Sequence, residues 1–187
     1  LKQYLQDDKA PTDRKVNSIT NNYLSKLSLS PDGKRIYVAS TMGVCAFDIA
    51  KESWVSTFGV NCLNYGIPVR VVREFDGELY VGTNDGLVCY DMKTGRNTNR
   101  PLESGLTDNG ISSMEQDRQG NLWISTDHGL FRMNPKTGKT DNYFVDNGLQ
   151  GNEFSDGASW VNADGYMAFG GLAGITCFNP ADIHERE

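Results

Sequence analysis

A pattern that recurs four times leaves this chain few folds to choose from. Each copy is a turn containing glycine, an apolar strand, a second turn with glycine, and another apolar strand ending in Asp or Asn. The copies read DGKRIYVASTMGVCAFD from Asp32, DGELYVGTNDGLVCYD from Asp76, QGNLWISTDHGLFRMN from Gln119 and DGYMAFGGLAGITCFN from Asp164. Their second-turn glycines, Gly43, Gly86, Gly129 and Gly174, are 43, 43 and 45 residues apart. That period, filled with short strands, belongs to a four-stranded β-propeller blade. Composition agrees: 20 of the 187 residues are Gly, above the usual ~7%, and a glycine excess without a collagen period means many tight turns.

The third copy predicts strands at Ile111–Gln116, Leu122–Thr126, Leu130–Met133 and Thr140–Val145, named A to D from the axis outward. The A–B hairpins fall at Asp32-Gly33, Asp76-Gly77, Gln119-Gly120 and Asp164-Gly165, where glycine supplies a positive φ without steric cost. The C–D hairpins fall at Lys93-Thr94-Gly95 and Lys136-Thr137-Gly138. No helical period competes, so the fold class is all-β: a β-propeller of about four four-stranded blades. Residues 1–187 form one propeller segment, divided into an outer strand and linker (1–16), blades at 17–60, 61–104 and 105–147, a last blade lacking its outer strand (148–180), and a tail (181–187). Leu1–Leu5 resembles a D strand, which makes sixteen strands in all. Two geometries fit: a ring of four closed by Leu1–Leu5, or an arc of a ring of roughly seven blades. The arc is the expectation, since rings of four are unusual and a chain opening mid-blade without Met reads as an excised piece.

Charge and cysteine usage narrow the function classes. With 18 Lys+Arg against 24 Asp+Glu the net charge is −6, and no cationic cluster offers a phosphate-binding surface, so nucleic acid is not an expected partner. The most apolar stretch, Tyr166 to Phe178, is broken by Gly170, Gly171 and Gly174 and is shorter than the ~20 residues a membrane helix needs. Cys45, Cys62, Cys89 and Cys177 lack CxxC spacing and are read as buried thiols; Cys45, Cys89 and Cys177 fall in C strands of separate blades and are expected to be reduced. His128 and His184 are the only histidines, and no Cys or His pair has ligand spacing, so no metal and no cofactor is expected. The turns Glu74 to Gly77 and Asn162 to Gly165 carry too few oxygen ligands for calcium. Neither a GxSxG elbow nor a phosphate-cradling glycine loop followed by Lys occurs.

The third copy, Gly105-Leu106-Thr107-Asp108-Asn109-Gly110-Ile111 followed by Met114, Asp117, Gly120 and Asn121-Leu122-Trp123-Ile124-Ser125-Thr126-Asp127-His128-Gly129-Leu130, resembles the two-component regulator propeller repeat. The second copy departs from it at Cys62-Leu63-Asn64-Tyr65-Gly66 and the first at Met42-Gly43-Val44. The fourth, from Asn147-Gly148-Leu149 through Phe178-Asn179-Pro180, resembles the last propeller repeat before a small β-sandwich. The resemblance implies the periplasmic sensor region of a membrane-anchored hybrid sensor histidine kinase in a phosphorelay. Paired propellers would detect carbohydrate fragments in polysaccharide utilisation, and this segment would be the C-terminal half of the second. It implies neighbouring propeller and β-sandwich domains as partners, with kinase activity elsewhere in the parent chain. The repeats also resemble those of a streptogramin-lyase type propeller, so a propeller lyase or hydrolase stands as the alternative; it would need a histidine or carboxylate pair on one face, with or without a metal.

Trp123, Tyr80, Tyr37 and Phe169 are expected at equivalent B-strand positions, filling the wedge between blades. Trp54 and Trp160 fall outside the shared pattern and could serve packing or ligand stacking. In such a blade the B–C turns and D–A crossings emerge on one face and the hairpins on the other. The hairpins repeat the same residues while the B–C turns vary, and varied side chains on a rigid scaffold are where recognition lives. The candidate ligand or partner contacts are therefore Tyr65, Asn84, Asp85, Asp127 and His128. Asn22, Asn109 and Asn152 are read as turn caps. An arc would also expose apolar faces at its end blades, which predicts self-association, a homodimer.

Overall fold

The computed structural model describes residues 24–41, 43–55, 68–97, 106 and 109–183. They form four antiparallel sheets, the blades of a β-propeller. Blade I comprises β1 (Leu24–Leu29), β2 (Arg35–Ser40), β3 (Gly43–Asp48) and β4 (Ser53–Val55). Blade II comprises β5 (Val69–Phe75), β6 (Glu78–Thr83), β7 (Gly86–Asp91) and β8 (Arg96–Asn97). Blade III comprises β9 (Ile111–Gln116), β10 (Leu122–Thr126), β11 (Gly129–Met133) and β12 (Thr140–Tyr143), and blade IV β13 (Phe154–Val161), β14 (Met167–Gly171) and β15 (Gly174–Phe178). Blade IV thus has three strands; the Leu1–Leu5 strand expected from the sequence lies outside the described residues. No helix among the described residues is long and apolar enough to cross a membrane.

Local chemistry sets the turns. Phe75 pairs with Glu78 across a two-residue hairpin in which Asp76 (φ 50°) and Gly77 (φ 81°) are both left-handed, the type I′ geometry that matches strand twist. At the C–D hairpins the side chain of Asp91 accepts the backbone N–H groups of Lys93 and Thr94, and Asn134 does the same for Lys136 and Thr137. These Asx turns explain why each C strand ends in Asp or Asn. The backbone bonds hold Asp91 below the ordinary carboxylate range, that to Thr94 most of all.

Period-two alternation gives every blade a leading face, toward the next blade, and a trailing face, toward the previous one. Tyr37, Tyr80 and Trp123 lie on leading faces, opposite Ala46, Cys89 and Arg132 of their C strands, and are wholly buried. Trp123 packs against Phe178 of blade IV with centroids 4.7 Å apart and the rings tilted by 55°, and the Arg132 guanidinium lies over the Trp123 ring at 6.0 Å. Trailing faces contribute Leu79 and Val81, Leu122 and Ile124, Met167 and Phe169; burying each such side chain contributes about 1.5–3 kcal/mol. The expectation for Phe169 is corrected here. Ala168, not Phe169, pairs with Cys177 as Trp123 pairs with Arg132, so Ala168 takes the wedge position while Phe169 packs back against blade III.

The end blades carry exposed apolar side chains, while their inner strands come together at the Lys26 side chain, which donates to the Gly157 carbonyl. Leu27 and Leu29 on the trailing face of blade I are 57% and 59% exposed, and Trp160 and Ile175 on the leading face of blade IV are 58% and 68% exposed. Cys45, Cys89 and Cys177 are free thiols. Only Cys89 is fully buried; Cys177 is exposed because it sits on that uncovered leading face, which corrects the expectation that all three are buried.

Candidate functional site

The B–C turns are built alike in three blades. Ser40, Thr83 and Thr126 donate a side-chain hydroxyl to the carbonyls of Gly43, Gly86 and Gly129, and the hydroxyls of Thr83 and Thr126 accept the N–H of Asp85 and His128. A hydroxyl tying both ends of the turn fixes its backbone and pushes the two middle side chains into solvent. Asn84, Asp85, Asp127 and His128 are accordingly exposed. Gly129 (φ 107°) cannot be replaced: a Cβ there would meet Phe144 and the Tyr143 carbonyl at 2.9 Å.

Each inner strand breaks register close to these turns. Val69 pairs with Thr83 but Val71 with Gly82, so Arg70 is the extra residue of a β-bulge. In β13, Phe154 pairs with Gly171 but Ser159 with Phe169, which loops out the segment holding Asp156 and Gly157. Bulges re-aim side chains, and here they aim at one another. Arg70 Nη1 lies 3.0 Å from Asp156 Oδ1 and 3.5 Å from Asp127 Oδ1. One guanidinium from blade II thus joins carboxylates from blades III and IV. Arg70 is mostly covered, with 22% of its side chain exposed, while Asp127 and Asp156 are 55% and 63% exposed. Gly110 makes room: a Cβ there would stand 2.4 Å from Asp127 Oδ2.

Below this cluster the inner strands share a second, buried network. Arg73 Nη2 donates to Glu115 Oε2 at 2.6 Å and its Nε to the Met114 carbonyl at 3.0 Å. Ser159 donates to the other oxygen of Glu115 at 2.7 Å. Glu115 is 5% exposed, and both its oxygens are occupied, as a buried carboxylate requires. Lys26 donates to the Gly157 carbonyl at 2.8 Å, joining blade I to blade IV. Burial lowers its pKa, opposed by the nearby charge of Glu115.

Of the residues singled out in the sequence, Asp127 enters the cluster. Asn84 and Asp85 occupy the neighbouring turn on the same face, and the His128 ring sits 5.6 Å from Phe144. Tyr65 lies outside the described residues. Asn152 acts as a cap, accepting the Val145 N–H at 2.9 Å. Arg70 and Asp156 were missed. The second had a signal, the two extra residues between Phe154 and Gly165 relative to blade III; that excess is the bulge.

The opposite face is not featureless. A cavity of about 390 Å³ lies between blades II and III, with Phe75 and Pro135 as apolar wall and Glu78, Asp91, Lys93 and Lys136 around it. The calcium reading of the Asn162 turn fails on geometry, since its Oδ1 accepts the N–H groups of Asp164 and Tyr166. Among the described residues no group of three or more His, Cys, Asp or Glu could hold a metal ion.

Comparison with known proteins adds the following. Residues 105–128 match the family described as two component regulator propeller. No curated protein matches the chain. Among solved structures it resembles the extracellular domain of the hybrid two component system BT3049 from B. thetaiotaomicron, at 20% identity and a TM-score of 0.70, covering 96% of this chain and 24% of that one. The extracellular domain of BT4673 from the same organism matches at 20% identity and a TM-score of 0.62, covering 83% of this chain and 21% of that one. PorZ of Porphyromonas gingivalis, a surface component of the type-IX secretion system, matches at 17% identity and a TM-score of 0.62, covering 83% and 26%. The chain therefore spans about a quarter of the length of the domains it resembles.

Proposed function

We propose that this chain is a non-catalytic extracytoplasmic sensor segment of a two-component sensor histidine kinase, and that it perceives carbohydrate fragments on its B–C turn face. The observation that carries the reading is the Arg70–Asp127–Asp156 cluster, in which three blades place one fixed donor group and two exposed carboxylates side by side. A sugar hydroxyl both donates and accepts, and carboxylate and guanidinium groups held by a rigid scaffold meet both demands. Asn84, Asp85 and His128 extend the same surface. The regulator propeller repeat at 105–128 and the extracellular two-component domains of like fold support the sensor role. The partners of this reading are the other propeller and β-sandwich domains of a membrane-anchored parent, its compartment is the periplasm, and nucleic acid is not among its ligands.

Calorimetry with oligosaccharide fragments tests this. Alanine at Asp85, Asp127 or Tyr65 is expected to weaken binding by about 1–3 kcal/mol each where a buried hydrogen bond is lost. Unchanged affinity in all three, with loss on replacing Lys93 and Lys136, would move the site to the cavity on the hairpin face.

A further inference from the structure

Asp156 stands on a segment that its own sheet does not hold. β13 pairs with β14 at Phe154 and resumes at Ser159, so residues 155–158 have no partner in the register and their shape is set from outside the blade. All three other blades take part. Ser112 of blade III donates to the Phe154 carbonyl at 3.1 Å, and Ser159 donates to Glu115 of the same blade at 2.7 Å, which anchors the two ends. In the middle, Arg70 of blade II holds the Asp156 carboxylate at 3.0 Å, and Lys26 of blade I donates to the very next carbonyl, that of Gly157, at 2.8 Å. The bend at that point needs glycine, because Gly157 has a φ of 68° in the region where other residues are strained. Lys26 is particular to blade I. The equivalent positions, each beside a small B-strand residue, are Val71 in blade II and Ser113 in blade III, and neither can reach across the axis with a charge.

We propose that Lys26 is a positioning residue for the Arg70–Asp127–Asp156 cluster: by pinning the Gly157 carbonyl it fixes the adjoining Asp156 carboxylate where a ligand meets it, without touching the ligand. The inference rests on the reading of that cluster as the ligand site. Arg70 alone does not suffice, since its guanidinium is shared with Asp127 and an ion pair at the side chain leaves the peptide that carries it free to turn. A second hold on the adjoining peptide removes that freedom. Groups fixed before the ligand arrives spare the complex the cost of ordering them. By linkage, a ligand that selects the held bulge strengthens the Lys26 bond in return, so occupancy of the cluster bears on blade I, which supplies none of its three residues.

Two measurements on the 187-residue chain test this, and the first needs no ligand. Lys26→Met keeps the aliphatic stem and removes the donor, Lys26→Leu serves as a second variant of smaller volume, and Lys26→Arg keeps a cationic donor. In Lys26→Met the backbone amides of Asp156 and Gly157 are expected to fall by NMR relaxation into the flexible range, with order parameters below ~0.6, while those of Arg73 and Ser159 stay rigid. Lys26→Arg is expected to restore them. The second measurement is calorimetry with short xylan, arabinan and starch fragments. A fragment that the native chain binds is expected to bind Lys26→Met about tenfold more weakly and Lys26→Arg nearly as well as the native chain. Unchanged order at Asp156 and Gly157 in Lys26→Met and Lys26→Leu, order lost through all of blade IV rather than at the bulge, or undiminished affinity in Lys26→Met would each overturn the inference. Order lost at the bulge alone, with no fragment bound by the native chain, would uphold the positioning of Asp156 and overturn the sugar reading of the cluster.

Discussion

At the scale of single residues, buried polar groups decide where the sequence tolerates change. Asp117 accepts the Trp123 indole N–H at 2.9 Å, the Asn121 amide at 3.0 Å and the Asn121 backbone N–H at 2.8 Å, so one carboxylate closes the A–B turn and satisfies the wedge ring. Asp117→Ala leaves that indole unpaired in the core and is expected to cost about 1–3 kcal/mol in urea unfolding. Tyr37 gives a pH signature. Burial, with the hydrogen bond it donates to Glu74 Oε2 at 2.5 Å, pushes its hydroxyl well above the usual tyrosine range. The unfolded chain releases this proton near pH ~10 while the folded chain keeps it, so the stabilisation is present below that pH and is lost as pH rises beyond it. Urea melts on the alkaline side should show a shallower decline for Tyr37→Phe than for the native chain; equal slopes would contradict the assignment.

At the scale of the element, the sequence showed what obeys a period and hid what breaks one. The blade III strands Ile111–Gln116 and Leu122–Thr126 were legible to the residue, because apolar alternation between glycine turns fixes both ends. Bulges were not: Arg70 breaks register only relative to Thr83 and Gly82, and that partnership appears once the strands are paired. The same blindness misplaced Phe169, since counting from the first-turn glycine gives a different phase in blade I, with its extra residue after Gly33, than in blade III. The B-strand series Ala39, Gly82, Ser125 and Gly170, opposite Val44, Leu87, Leu130 and Ile175, shows a rule the alternation did not announce: the residue there must be small. A Cβ at Gly82 would lie 2.6 Å from Ile111 Cγ2 and 2.7 Å from Val71 Cγ1. Gly82→Ala is expected to destabilise by about 1–3 kcal/mol through overpacking between blades II and III. Thermal unfolding checks it, and an unchanged midpoint would mean the blades part at no cost.

At the scale of the whole molecule, four blades bring together residues that no strand holds alone. Arg70, Asp127 and Asp156 come from three blades, as do Arg73, Glu115 and Ser159 beneath them. A ligand spanning the upper cluster would bear on the relative placement of three sheets, which suits a sensor and demands no activated nucleophile. The most direct test follows amide and sugar resonances together by NMR while an oligosaccharide fragment is titrated into the chain. The account expects shifts centred on Arg70, Asp85, Asp127, His128 and Asp156, with the sugar signals unchanged in chemical identity. Shifts centred on Lys93 and Lys136, or new sugar signals from turnover, would contradict it.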